Sequence, residues 1–248
     1  MGGSFFRRLL WLCLLVLSST AFPAALARLT WLGYPLLCLQ LLSGLSQRPP
    51  WRRRWGKHTY QGMGIASVLA QLAWVFNPRS LLSTALPLLI LFLVFMGWSL
   101  IRLLHRLARE SPNEGDLVAG GLAGYLLLGI SGGLLLTVID SLVPGCFRDA
   151  ATGALVQLPP LGSELAATSA WDVNVQRITY FAFVSLTTVG YGDISPIQPV
   201  AQLASVTLSV LGPLYIAVVI GVVVSRLVDQ HSRADEENQE ETKEPTER

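Results

Sequence analysis

The apolar positions of this chain are gathered into long runs separated by short polar breaks. The runs extend from Leu9 to Phe22, Ala24 to Leu45, Tyr60 to Phe76, Leu81 to Leu104, Leu117 to Leu142 and Val200 to Val228. A helix needs about 20 apolar residues to cross the hydrocarbon of a bilayer, so the pattern predicts six transmembrane helices. A further apolar stretch, Ile178 to Leu186, is too short to cross. It predicts a re-entrant segment, which a membrane tolerates only where the backbone is buried in protein or lines a watery cavity. No internal repeat is visible.

Composition agrees with this picture. Of the 248 residues, 52% are apolar in the strict sense and 14% are charged, with a mean hydropathy of +0.50. Soluble domains carry about 25% charge, so an ordinary soluble globule and a disordered chain are both excluded.

Charge then sets the orientation. The net charge of +2 hides an asymmetry: the first 109 residues hold twelve Lys and Arg and no acid, and the acids begin at Glu110. With the N-terminus inside and six crossings, fourteen of the eighteen basic residues fall inside, and only Arg28, Arg79, Arg148 and Arg177 fall outside. The positive-inside rule therefore predicts cytoplasmic N- and C-termini. One alternative concerns the first run. Arg7-Arg8, the apolar stretch from Leu9 and Ala25-Leu26-Ala27 also fit a secretory signal, whose cleavage after Ala27 would leave five spans in the same orientation. The polar break 110–116 divides a four-span region, 1–110, from a glycine-rich region, 111–231. The acidic tail, 232–248, reads as disordered. The cations lie between apolar runs rather than on one polar face, which argues against nucleic acid. The cysteines Cys13, Cys38 and Cys146 carry no metal or disulfide spacing.

Candidate chemistry lies just before the last run, where residues 187–193 read TTVGYGD. Two glycines separated by one residue let the backbone take positive φ at alternate positions, so that successive carbonyls can point the same way. A ring of such carbonyls can replace the water shell of an alkali cation.

This string resembles the selectivity filter of the tetrameric potassium channels, and in particular their prokaryotic members. The likeness extends over about residues 116–229. It includes Tyr180-Phe181-Ala182-Phe183-Val184-Ser185-Leu186, similar to a pore helix, and Leu211-Gly212-Pro213-Leu214-Tyr215, similar to an inner helix. The resemblance implies an all-α membrane protein with six transmembrane helices, a re-entrant pore helix and a filter. It implies K+ held by carbonyls of Thr188, Val189, Gly190 and Tyr191 and by the Thr188 hydroxyl, with Gly190 and Gly192 permitting the geometry. Thr187 would end the pore helix, Tyr191 would brace the filter from behind, and Asp193 would sit behind the outer mouth with Tyr180 as its hydrogen-bond donor. Val184 stands where some members keep an acid. Gly212 with Pro213 is the hinge or kink candidate. One filter per chain implies a homotetramer in a prokaryotic plasma membrane, with K+ as permeant ion, no cofactor and no enzymatic activity. By contrast, Gly120-x-x-x-Gly124 and Gly129-x-x-x-Gly133 read as faces for close helix packing.

Six spans with the pore last raise the question of voltage sensing. The fourth run has no basic residue from Leu81 to Ser99, and the first four contain no acid to pair with a moving arginine. Arg102, Arg106 and Arg109 share one helical face but lie where topology alone puts them. A sensor of the usual arginine type is therefore not expected. Histidines 58, 105 and 231 all fall inside, and the tail is too short for a nucleotide- or calcium-binding domain. Two rivals remain. Gly129-Ile130-Ser131-Gly132 resembles the G-x-S-G of rhomboid intramembrane proteases, but no histidine lies within a span to act as base. A secondary transporter would need ionisable groups at mid-membrane, and Asp140 is the one acid near a span end.

Overall fold

A computed structural model describes residues 3–18, 32–45, 55–76, 85–109, 114–156 and 169–243. Its elements are α1 (Gly3–Ser18), α2 (Gly33–Leu45), α3 (Trp55–Phe76), α4 (Ala85–Arg109), α5 (Glu114–Leu142), β1 (Phe147–Asp149), β2 (Leu155–Val156), α6 (Ser169–Leu186), β3 (Ile194–Pro196) and α7 (Pro199–Lys243). Among the described residues three helices are long and apolar enough to cross a membrane, at Leu86–Ala108, Gly115–Leu142 and Pro199–Val222. Helices α1 and α2 are shorter, and α3 is interrupted by Lys57, His58, Gln61 and Gln71. The signal-like Ala25-Leu26-Ala27, the basic cluster Arg52-Arg53-Arg54 and part of the 110–116 break lie outside the described residues.

Two apolar cores organise the chain. The first joins α1 to α5 through Phe6, Leu9, Leu37, Leu41, Tyr60, Phe95, Met96, Leu103 and Leu127. On α4, the buried positions Phe92, Phe95, Met96, Ser99, Leu103 and Leu107 recur every three or four residues, the spacing of one helical face. Polar groups at the end of α2 are satisfied by α4. Arg102 donates to the Leu45 carbonyl at 3.1 Å, and Arg106 to the Gly44 carbonyl at 3.1 Å. These are orphan carbonyls of a helix C-terminus, where positive charge is favoured. The Arg102 guanidinium also lies 3.9 Å above the Tyr60 ring, and that of Arg106 lies 4.7 Å above Phe5. Arg7 of α1 pairs with the buried Asp116 of α5 at 3.0 Å.

The second core joins the end of α5 to α6, α7 and a small sheet through Leu136, Phe147, Val156, Ile178, Phe181, Ile194 and Leu208. Helix α5 serves both cores because its glycines admit neighbours on several sides. A methyl group at Gly120 would overlap Phe6 and Leu107. One at Gly124 would meet the Tyr215 hydroxyl, at Gly129 the Phe183 ring, and at Gly133 Thr179. The expected packing role of these glycines is thus what the fold uses them for.

Two features depart from the expected architecture. The first is an antiparallel sheet, ordered β2-β1-β3, added to an otherwise helical chain. Its strands of two or three residues are too short to show an alternating pattern. The second is α7, which continues to Lys243 through the segment expected to be disordered. Extending an existing helix avoids the cost of nucleation, and Ala, Glu, Gln and Lys are good helix formers.

Candidate ion-conduction site

Helix α6 is eighteen residues long, twice the apolar stretch that announced it. Its C-terminal end delivers the chain to the 187–193 segment. Thr187 closes the helix, its N–H and its hydroxyl both donating to the Phe183 carbonyl, at 2.9 and 2.7 Å.

Beyond that point the backbone alternates. Thr188, Gly190 and Gly192 take φ of 59°, 60° and 77°, whereas Val189 and Tyr191 do not enter the positive region. Left-handed backbone costs an L residue such as Thr188 about 1–2 kcal/mol, so its presence between regular elements marks a shape imposed by the surroundings. The surroundings are the last turn of α6. The Thr188 N–H bonds to the Ser185 carbonyl at 3.1 Å, and the N–H groups of Val189 and Gly190 bond to the Val184 carbonyl at 3.1 and 3.4 Å. In a trans peptide the C=O points opposite to the N–H. The carbonyls of Thr187, Thr188 and Val189 therefore face away from α6, all to the same open side. Residues 187–193 are exposed throughout, and the Tyr191 side chain is 71% exposed.

The exit is fixed differently. Asp193 caps the Ile194 N–H through Oδ1 at 3.1 Å, and its carbonyl accepts the Ala150 N–H at 2.8 Å. The Tyr180 side chain lies beside the Asp193 carboxylate. Val184 is buried, and its backbone carbonyl accepts the N–H groups of Val189 and Gly190.

Gly212 lies against the end of α6. A methyl group there would overlap the Leu186 carbonyl, so the close approach of α7 to α6 requires glycine. Pro213 sits inside an unbroken α7 and removes the N–H that would bond the Ser209 carbonyl.

Several participants were not singled out from sequence. The Tyr125 hydroxyl donates to the Leu186 carbonyl at 3.3 Å, and the Tyr215 hydroxyl to the Gly121 carbonyl at 2.9 Å. Nothing in the local sequence points to this pair. Asp149 was also missed, although Asp149-x-x-Thr152-Gly153 is a readable turn signal. Its Oδ1 accepts the N–H groups of Ala151 and Thr152, both at 2.9 Å, and Oδ2 pairs with Arg177 of α6. The Thr152 N–H first, then Arg177 and the Ala151 N–H, hold this carboxyl below its ordinary pKa. Burial beside Asp140 pushes the Cys146 thiol up to about 11, and the protonated sulfur donates to the Val143 carbonyl.

Residues 153–229 match a family model described as "Ion channel". Over that stretch the chain is similar to ion-channel domains. The matched stretch takes in β2, α6, the 187–193 segment, β3 and the whole apolar span Pro199–Val222 of α7, and it supports a potassium-channel-like membrane protein. No curated protein and no solved structure matches the chain. This match does not favour the protease reading. Ser131 is buried and donates to the Leu127 carbonyl of its own helix, while the His105 ring pairs with the Ile101 carbonyl on α4. Among the described residues no group of His, Cys, Asp and Glu is arranged to hold a metal.

Proposed function

We propose that the chain is a potassium-selective channel that conducts K+ passively as a homotetramer, without a voltage sensor of the usual arginine type. The observation that carries this reading is the alternation of left-handed backbone at Thr188, Gly190 and Gly192, with the N–H groups of Thr188, Val189 and Gly190 tied back to α6. A dehydrated K+ would be held by the carbonyls of Thr188, Val189, Gly190 and Tyr191 and by the Thr188 hydroxyl, with Gly192 completing the turn of the backbone. Selection arises because these oxygens replace the hydration shell without cost of rearrangement. Tyr191 and the Tyr180–Asp193 contact would support the filter from behind.

A single chain offers carbonyls to one side only, and exposed backbone of this kind is not tolerated against lipid. Four copies around an axis would close the ring and cover the segment. The C-terminus of α6 would then turn its negative dipole end towards the axis, favouring a cation. In this reading six helices cross a prokaryotic plasma membrane, with both termini cytoplasmic. Arg102 and Arg106, held by the carbonyls of α2 and by aromatic rings, support a fixed structural role instead of a moving gating charge. Gly212 and Pro213 remain the gating candidates.

The test is potassium and sodium flux through the purified protein in liposomes. The expected result is potassium flux in large excess over sodium, blocked by barium, from an assembly with the mass of four chains. Gly190→Ala has space for its methyl group but must hold φ near 60°, at a cost of about 1–2 kcal/mol. It should abolish the flux while leaving the assembly intact. Equal sodium and potassium flux, or wild-type flux in Gly190→Ala, would overturn the reading.

A further inference from the structure

The sheet that follows α5 has a position that assigns it a task. Strand β3 begins at the residue after Asp193, and β1 pairs with it throughout: Asp149 opposite Ile194, Arg148 opposite Ser195, Phe147 opposite Pro196. The pairing is extended at both ends, by the Ala150 N–H on the Asp193 carbonyl and by the Ile197 N–H on the Cys146 carbonyl, each at 2.8 Å. The chain leaving the 187–193 segment is therefore clasped along its whole first stretch by residues 146–150.

The clasp is itself anchored at three points. The Cys146 N–H is held by Asp140 of α5 at 3.0 Å. The Phe147 ring packs on Phe181 of α6, with centroids 5.3 Å apart. The third point is the Asp149–Arg177 ion pair, also to α6. Arg177 and Phe181 are four residues apart, on one face of the helix. The Asp149 side chain is 15% exposed and that of Arg177 38%, so the pair is partly shielded from water. On the side of α6, Tyr180 lies beside Asp193, while Val184 is apolar and buried.

We propose that Asp149 and Arg177 are positioning residues for the conducting state. Through β1 they fix the exit of the filter from outside, in place of an acid behind it. The inference rests on the potassium-channel reading. Without the ion pair, β1 keeps its backbone bonds to β3, but the sheet is less firmly fixed to the pore helix. The exit can then shift relative to the carbonyls that hold the ion. The expected consequence is a filter that conducts normally when open but leaves the conducting state sooner.

The experiment is single-channel recording of the full chain in planar bilayers with potassium on both sides, for wild type, Asp149→Asn, Arg177→Gln and the double variant. Asparagine retains an oxygen for the Ala151 and Thr152 N–H groups, so Asp149→Asn removes the charge and leaves the turn. Each single variant is expected to shorten bursts about threefold or more at unchanged unit conductance, with the double variant no worse than either single, the signature of coupled residues. Arg177→Lys, which keeps the charge, should recover part of the burst duration. It also serves if Arg177→Gln fails to assemble. Wild-type burst durations in the single variants, or effects that add in the double variant, overturn the brace alone. A wild-type protein with no potassium-selective current overturns the channel reading and the brace with it.

Discussion

Helices α5 and α7 are about equally apolar, yet 67% of the membrane-length window of α5 is buried in the chain and only 22% of that of α7. The difference lies in side-chain size. Along α5, Gly120, Gly124, Gly129 and Gly133 let Phe6, Leu107, Tyr215, Phe183 and Thr179 approach the backbone from several directions. On α7 the large side chains Leu203, Val206, Val210, Leu214 and Val218 point into open space at spacings of three and four, and Ile216, Ile220 and Val224 do so on another side. Hydropathy measures whether a helix can leave water. It does not say whether protein or something else takes the place of water, and here glycine content draws that distinction. Helix α5 is the shared wall of both cores, whereas the chain itself leaves most of the apolar surface of α7 uncovered.

The largest expected effect falls on the one place where α7 behaves like α5. Gly212→Ala puts a methyl group into the Leu186 carbonyl, whereas Gly221→Ala meets nothing within 4 Å. Overpacking of this sort costs about 1–3 kcal/mol, and a rigid backbone neighbour puts Gly212→Ala at the upper end. Thermal unfolding in detergent should show the loss for Gly212→Ala only, accompanied by loss of potassium flux because α6 is displaced. Gly221→Ala should be neutral or stabilising, by up to about 1 kcal/mol from helix propensity. If both behave alike, the contact with α6 is not what selects glycine at 212.

A smaller effect is expected in the first core, where the contrast is between cations at rest and cations that move. Arg102→Met keeps the apolar stem and removes the charge from above Tyr60 and from the Leu45 carbonyl. A charged hydrogen bond and a cation–π contact are together worth about 2–4 kcal/mol, and the packing of methionine recovers part of it, so the net loss expected is about 1–2 kcal/mol. Thermal unfolding measures it. The slope of conductance against voltage should stay unchanged in bilayers. A shallower slope would mean that Arg102 moves in the field, and the first core would then be a working part of the gate.

The two regions also differed in how much the sequence revealed. The 187–193 segment was legible because its geometry depends on residue type: positive φ at 190 and 192 asks for glycine, and both are there. The third left-handed position was not, since Thr188 gives no such sign and is driven there by bonds to the end of α6. Apolar runs placed the long helices, but the start of α6 at Ser169 lies well outside its apolar stretch. The caps that Arg102 and Arg106 place on α2 join residues 57 and 62 apart in sequence, and no local pattern encodes them. The same holds for Tyr125 and Tyr215. The hairpin stayed hidden because strands this short carry no periodicity, though the turn at Asp149 was there to be read.

The smallest effect concerns acid on the side of the hairpin, and its sign follows from Asp149. The folded protein holds this carboxyl below its ordinary value, through the Thr152 N–H first and then Arg177 and the Ala151 N–H. A depressed carboxyl contributes its stabilisation above the unfolded pKa and loses it as pH falls through the folded one. The whole loss therefore lies at or below the ordinary aspartate range. From about pH 7 to pH 5 the burst duration of wild type should stay flat, because Asp149 remains ionised throughout. Asp149→Asn, already uncharged, should give short bursts over the same interval, and wild type should approach it only in stronger acid. A midpoint near neutrality in wild type that persists in Asp149→Asn would assign external pH control to a different group and leave the ion pair with a purely mechanical part.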